Sequence, residues 1–266
     1  MDNRPVGIFD SGFGGLSALA EFRRLMPEEN IIFFGDSGRV PYGSKPVDEL
    51  RACAANNIRF LIRSGAKAIL AACGTCSLTA GDIISGSSVP ACNVLSPSVD
   101  LITSLEDDGP LGIIATQASI DSRGFENALR AAGIEREIIS VPCPDFVTLI
   151  EAGIPYSDER VKNAVAKYLA PIKAAGATAL LLGCTHYGII EPSLREYLGE
   201  QVRIISASAC GADALAKQLT LSGMTGGCGE VRFFTSGNAG AFRETASIIL
   251  GYDTGEVVSI PEWENE

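Results

Sequence analysis

No apolar run in this 266-residue sequence approaches the ~18 residues that a membrane span requires. The opening segment, Met1 to Asp10, holds only the short stretch Val6-Gly-Ile-Phe9. That is too little for a secretory signal, so the expected compartment is the cytoplasm. Basic residues are scarce: 21 lysines and arginines stand against 32 acids, giving a net charge of −11 and a pI near 4.7. This balance excludes broad binding of nucleic acid or anionic membrane, which needs a basic face. A small anionic ligand is not excluded, because one site can use backbone N–H groups locally. Histidine occurs once, as His186.

Apolar residues make up 46% of the chain and charged ones 20%, enough to build real cores and exclude disorder. The 29 glycines show no collagen-like period and fall at turns. Eight cysteines stand at 53, 73, 76, 92, 143, 184, 210 and 228. Without a signal sequence they are expected to be reduced, and six of them read as small core residues. The other two are Cys73 and Cys184.

Short β-rich runs alternate with longer amphipathic ones. Strands are expected near Val6–Asp10, Ile31–Asp36, Ala68–Cys73, Ala91–Leu95, Leu111–Thr116, Glu137–Cys143, Ala179–Cys184, Val202–Ala207 and Val231–Gly237. Helices are expected at Leu16–Leu25, Val47–Arg63, Ser122–Ala132, Phe146–Glu151, Asp158–Ala174, Cys210–Leu219 and Ala239–Leu250. Strand alternating with helix predicts an α/β fold with mainly parallel sheets.

A weak internal repeat divides the chain. Ser64-Gly-Ala-Lys-Ala-Ile-Leu-Ala-Ala-Cys73 aligns with Ala175-Gly-Ala-Thr-Ala-Leu-Leu-Leu-Gly-Cys184, five of ten positions identical at an offset of 111. Each block follows a long helix, with a Pro-Tyr pair upstream: Pro41-Tyr42 and Pro155-Tyr156. Any two αβ units share Gly-Ala turns, but here both blocks also end at a cysteine with threonine within two positions. Two similar halves with equivalent cysteines suggest a pseudo-two-fold molecule with its ligand between them.

In open α/β sheets, ligands bind beyond the carboxyl ends of the strands. Those ends carry Asp10-Ser11, Asp36, Cys73 to Cys76, Thr116, Cys143, Cys184-Thr185-His186 and Ser206. The set holds two nucleophile-grade thiols, a carboxylate, hydroxyls and the lone histidine. Three further readings stay open. Gly12-Phe-Gly14-Gly15 is a partial dinucleotide fingerprint with Ser17 where a third glycine belongs. Cys73-Gly-Thr-Cys76 reads either as a redox pair or, with Cys184 and His186, as a Cys3His zinc set. A histidine two residues from Cys184 lies on its side of a continuing strand and can take its proton.

Four blocks resemble glutamate racemase, of the cofactor-independent amino-acid racemases: Gly7-Ile-Phe-Asp-Ser-Gly-Phe-Gly-Gly-Leu16, Asp36 through Pro41-Tyr-Gly43, Cys143-Pro144 through Glu151-Ala-Gly153, and Leu182-Gly-Cys-Thr-His-Tyr187. The likeness runs from Val6 into the Phe242–Leu250 tail. It implies two similar α/β domains, one formed by residues 1–95 plus 208–266 and the other by 96–207, with the site in the cleft. It implies Cys73 and Cys184 as proton-transfer bases, Asp10 supporting the first, Glu151 and His186 the second. Substrate would be held by Asp10, Ser11, Pro41, Tyr42, Gly43, Gly74, Thr75, Thr116, Ser119, Thr185 and His186. No cofactor or metal is implied; the partner is a small acidic amino acid, and the assembly is left open, a homodimer among the options. The resemblance also implies a role in supplying D-glutamate for peptidoglycan precursors. Four positions depart from the family pattern: Gly74 for asparagine, Ser96 for glutamate, Ser119 for threonine, and Cys76 for a small residue. Gly74 and Ser96 leave open racemisation of aspartate or another acidic substrate, and a diverged binding or regulatory homologue.

Overall fold

Near-continuous apolar runs become strands covered on both faces, as parallel sheets require. The structure, a computed structural model, describes residues 1–261. Its strands are β1 (Val6–Asp10), β2 (Ile31–Gly35), β3 (Ala68–Ala71), β4 (Ala91–Asn93), β5 (Leu111–Ala115), β6 (Ile138–Pro142), β7 (Ala179–Leu182), β8 (Arg203–Ser206), β9 (Val231–Thr235) and β10 (Val257–Ser259). The helices are α1 (Leu16–Leu25), α2 (Val47–Arg63), α3 (Gly74–Thr79), α4 (Gly81–Ser85), α5 (Leu95–Thr103), α6 (Gln117–Asp121), α7 (Gly124–Ala131), α8 (Pro144–Glu151), α9 (Glu159–Ala174), α10 (Glu191–Leu198), α11 (Ala207–Leu221) and α12 (Ala239–Leu250). Two 3-10 turns, Tyr42–Ser44 and Thr185–Ile190, complete the set.

The strands form two all-parallel sheets, ordered β10-β9-β2-β1-β3-β4 and β6-β5-β7-β8. The second repeats the order of four consecutive strands of the first, β2-β1-β3-β4. The repeated blocks fall on corresponding strands: Ala68–Ala71 and Ala179–Leu182 differ by the same 111 positions. The two Pro-Tyr pairs are not equivalent. Tyr42 is buried, whereas Tyr156 is 49% exposed.

Helix α1 shows why these segments fold as they do. Leu16, Leu19 and Phe22 recur at helical spacing and are buried, while Arg23 and Arg24 close its last turn beside the negative helix end. One apolar core is shared by both sheets: Val6, Ile8 and Leu70 from the first meet Leu111, Ile113, Leu181 and Ile205 from the second, through α1 and α11. Separate cores cover the outer faces, around Phe146 and Leu169 in one half and Phe34 and Leu61 in the other.

Several elements lie outside the sequence expectations. Helix α5 carries Pro97, and α10 begins Glu191-Pro192, so their prolines resemble loop punctuation. In α10 the proline sits in the first turn, where its missing N–H costs nothing. The expected helix at Ser122–Ala132 begins two residues later, as α7, and an unexpected short helix, α6, precedes it, with Arg123 in the left-handed region between them (φ 52°). The strands stop one or two residues before Asp36, Cys73, Leu95 and Cys184, because pairing ends where the chain turns over the sheet edge. All eight cysteines are free. Of the six read as core residues, Cys53, Cys76, Cys143 and Cys210 are buried and Cys92 is partly so. Cys228 corrects the expectation: it is exposed, where its amide caps onto Asn30 ahead of β9.

Away from the cleft, Lys67 is fully buried against Glu29, Nζ to Oε2 2.6 Å. The ammonium also donates to the carbonyls of Asp2 and Gly226, and Glu29 accepts from the Gly226 amide. Removing one partner leaves an uncompensated buried charge, which costs ~3–5 kcal/mol. Lys67→Met should therefore lower urea-unfolding stability by about that amount, and adding Glu29→Leu should restore much of it. A single variant as stable as the parent would contradict this.

Candidate active site

The carboxyl edges of the two sheets face each other, and the cleft between them holds a cavity of about 320 Å³. From the first half come Ser11 and Gly12 after β1, Val40 to Gly43 at the 3-10 turn, and Cys73, Gly74 and Thr75 after β3. From the second come Thr116 and Ser119 after β5, Val147 and Glu151 on α8, and Gly183 to His186 after β7. The equivalent cysteines thus open onto one space from opposite walls.

Every site residue implied by the resemblance lies on this wall except Asp10, whereas the strand-end candidates Asp36, Cys76, Cys143 and Ser206 do not line it. Asp10 is buried one layer beneath, where Oδ2 accepts the Gly12 amide at 3.0 Å and Oδ1 lies 3.5 Å from the Thr185 hydroxyl. It therefore links the two halves below the cavity. Val40, Val147 and Gly183 were missed. Val147 had a readable signal, standing one helical turn before Glu151 on the same face. Gly183 is the residue preceding the second cysteine.

Local folding sets each side chain. Cys73 caps α3, and the Ser77 amide bonds to its carbonyl. Thr116 caps α6, its hydroxyl 3.0 Å from that of Ser119. Tyr42 is held by its hydroxyl on the buried Asp36, whose other oxygen accepts from Ser236 at 2.5 Å. His186 lies in a 3-10 turn and not on an extended strand, so strand alternation does not explain its pairing with Cys184. That turn is locked by Tyr187, whose hydroxyl donates to the Cys143 carbonyl at 2.9 Å and whose ring meets Phe146 of α8 edge-on at 5.1 Å. The same contact fixes α8, which carries Glu151.

The second cysteine accordingly sits in a relay. Cys184 Sγ is 3.7 Å from His186 Nδ1, and His186 Nε2 is 3.1 Å from Glu151 Oε1. Burial alone would push the imidazole down, but the Cys184 sulfur and the Glu151 carboxylate outweigh it and raise His186 to about 10. Cys73 has no imidazole beside it. Its thiol is nevertheless held below the ordinary range, chiefly by the Cys76 thiol behind it, against burial and the charge of Asp10.

Glycines let the halves close. A Cβ on Gly14 would stand 2.2 Å from the Thr185 hydroxyl and 2.4 Å from His186 Nδ1. One on Gly74 would stand 2.7 Å from the Gly183 carbonyl oxygen. The space over Gly14, at the centre of the glycine-rich loop, is therefore filled by the opposite half, and the dinucleotide reading does not fit. Among the described residues, no group of three or more His, Cys, Asp or Glu side chains is arranged to hold a metal ion. Nor is any helix among them long and apolar enough to cross a membrane.

Two like α/β halves that close over paired thiols in one cleft are the architecture shared with the racemases that the chain resembles. The Asp/Glu/Hydantoin racemase family model matches residues 15–215. "Glutamate racemase 2" of Caldanaerobacter subterraneus is 33% identical over 260 residues, 97% of each chain. A glutamate racemase of Clostridium perfringens is 36% identical over 226 residues, covering 84% of this chain and 86% of its own. The crystal structure of glutamate racemase from Francisella tularensis in complex with D-glutamate superposes over the full length of both chains with a TM-score of 0.88 at 32% identity. The chain belongs to the Asp/Glu/Hydantoin racemase family.

Because His186 is the only histidine, its titration is directly readable. Its raised value means that it stabilises the fold fully below the unfolded value of 6.5 and loses that contribution as pH rises through about 10. An NMR pH titration should show one imidazole still protonated at pH 8, and Glu151→Gln should lower its midpoint. A midpoint near 6.5 in the parent protein would contradict the relay.

Proposed function

We propose that the chain interconverts L- and D-glutamate without a cofactor, by proton transfer between two thiols. The observation that carries this reading is that Cys73 and Cys184, from opposite walls, border one cavity. The reading makes the protein an isomerase of a small acidic amino acid. It also places the protein in the cytoplasm, with D-glutamate supply for peptidoglycan precursors as its role. Residues 1–95 with 208–266 would form one domain and 96–207 the other, a division supported by which strands build each sheet.

Racemisation removes the α-proton from one face and returns a proton to the other. A base on each face does this without turning the ligand over. In the cycle one sulfur begins as thiolate and the other as thiol. The thiolate takes the Cα proton, the electron pair passes into the adjacent carboxylate, and the opposite S–H supplies a proton to the far face. The protonation states of the two sulfurs end reversed. The α-proton is far less acidic than a thiol, so the charge developing on the carboxylate must be stabilised by donors. Hydroxyls of Thr75, Thr116, Ser119 and Thr185 and the amide of Ser11 belong to residues that line the cavity and suit that task. His186 with Glu151 would hold Cys184 as thiolate when its turn comes. Asp10, from beneath, would orient the loop and Thr185.

Of the two departures that point to another acid, Ser96 is exposed at the start of α5 and off the cavity wall. Gly74 alone lies on it, where a side chain would meet the Gly183 carbonyl oxygen of the other half. Polarimetry with L- and D-glutamate, then L- and D-aspartate, tests the reading. Loss of rotation with both glutamate enantiomers is expected, and turnover of aspartate alone would contradict it. Cys73→Ser and Cys184→Ser should each lower glutamate racemisation by at least ~100-fold, through loss of a general base. Near-full activity in either variant would remove that thiol from the mechanism. Gly74→Ala should lower kcat by about tenfold or more, by forcing the halves apart at the reacting centre. An unchanged kcat would show that the close contact is incidental.

A further inference from the structure

Cys184 has an imidazole and a carboxylate behind it; the described contacts of Cys73 supply neither in that role. What stands behind Cys73 is Cys76, fully buried, three residues on and one turn up the same helix. Cys73 occupies the N-cap and Cys76 the third helical position, the two positions that face each other in a capping box. Cys76 is absent from the cavity wall, so it touches no ligand there. Both cysteines belong to one buried cluster, which brings the Cys76 thiol up behind the Cys73 sulfur, where it favours the Cys73 thiolate.

We propose that Cys76 is a positioning residue for the proton transfer at Cys73, donating its S–H to the Cys73 thiolate and so doing for the first half-site what His186 does for the second. The inference rests on the two-thiol reading of the cavity. The titratable groups facing the pair are Asp10 from β1, Tyr42 from the 3-10 turn and Cys53 from α2. None of these is a cation, and the Asp10 charge opposes a thiolate. The hydroxyl of Ser11 is the other side-chain donor at Cys73. Cys76 itself is pushed well above the ordinary thiol range, first by its bond to Cys73 and then by burial, so it remains a donor across working pH. No net proton leaves Cys76. When Cys73 takes the substrate proton, the Cys76 S–H bond persists and only its acceptor changes from thiolate to thiol.

The arrangement gives the two half-sites different chemistry. An imidazolium favours its thiolate through charge and falters as pH rises through about 10. A neutral thiol donor favours its thiolate by hydrogen bonding alone and adds no charge beneath an anionic substrate.

The test is the pH dependence of iodoacetamide alkylation, followed on the separate Cys73 and Cys184 peptides by mass spectrometry. The samples are the free full-length protein, Cys76→Ala and Cys76→Ser. In Cys76→Ala the Cys73 profile should move up by about one pH unit, roughly tenfold less thiolate below its midpoint. Cys76→Ser, which keeps a donor, should recover most of that shift, and the Cys184 profile should stay in place in all three. A Cys73 profile unchanged in Cys76→Ala, or equal shifts in the alanine and serine variants, would overturn the proposal. Because alkylation needs no turnover, a shifted Cys73 profile in a protein that racemises neither acid would uphold the role of Cys76 and overturn the racemase reading instead.

Discussion

Two sheet edges must meet closely enough for backbone to lie on backbone, and the rest of the molecule serves that approach. At Gly74 even a methyl group would collide with the Gly183 carbonyl, and at Gly14 the opposite half fills the place of a side chain. Such contact is stable only if the halves share a rigid support. The common core of α1 and α11 between the two sheets provides it, with Ser17 on α1 donating to the Thr185 carbonyl at 2.7 Å. Closing the site in this way leaves two sulfurs facing one cavity between the halves, where fixed dipoles act on developing charge.

The duplication brings equivalent cysteines to the cleft, but the halves have diverged in what stands behind each thiol. A histidine and glutamate on aromatic-locked elements support one; a buried second thiol supports the other. A racemase working equally in both directions needs each sulfur to be thiolate in turn, not two identical environments. Unequal supports are compatible with that requirement as long as neither thiolate is held so firmly that it cannot accept the proton.

Much of this was legible in the chain. Alternation of apolar runs and helical periodicity fixed the α/β class, and α1, α2 and α12 fall where periodicity puts them. The offset of 111 between Cys73 and Cys184 carries straight into the strand equivalence of β3 and β7. What escaped was set by tertiary contacts. The pairing of His186 with Cys184 arises from a 3-10 turn pinned by Tyr187, which no local period announces. Asp10 lies under the cavity and not on it, because its carboxylate is drawn to the Gly12 amide and Thr185. Tyr156 matched Tyr42 in sequence yet lies outside, since only Tyr42 has the buried Asp36 to anchor its hydroxyl. Prolines disguised α5 and α10.

Isotope placement addresses the central claim most directly. L-glutamate incubated with the protein in D2O and analysed by NMR at low conversion should yield D-glutamate carrying deuterium at Cα, while recovered L-glutamate keeps its proton. That asymmetry requires separate donors on the two faces. Deuterium appearing equally in both enantiomers, or protium retained in the product, would contradict the account of two opposed thiols.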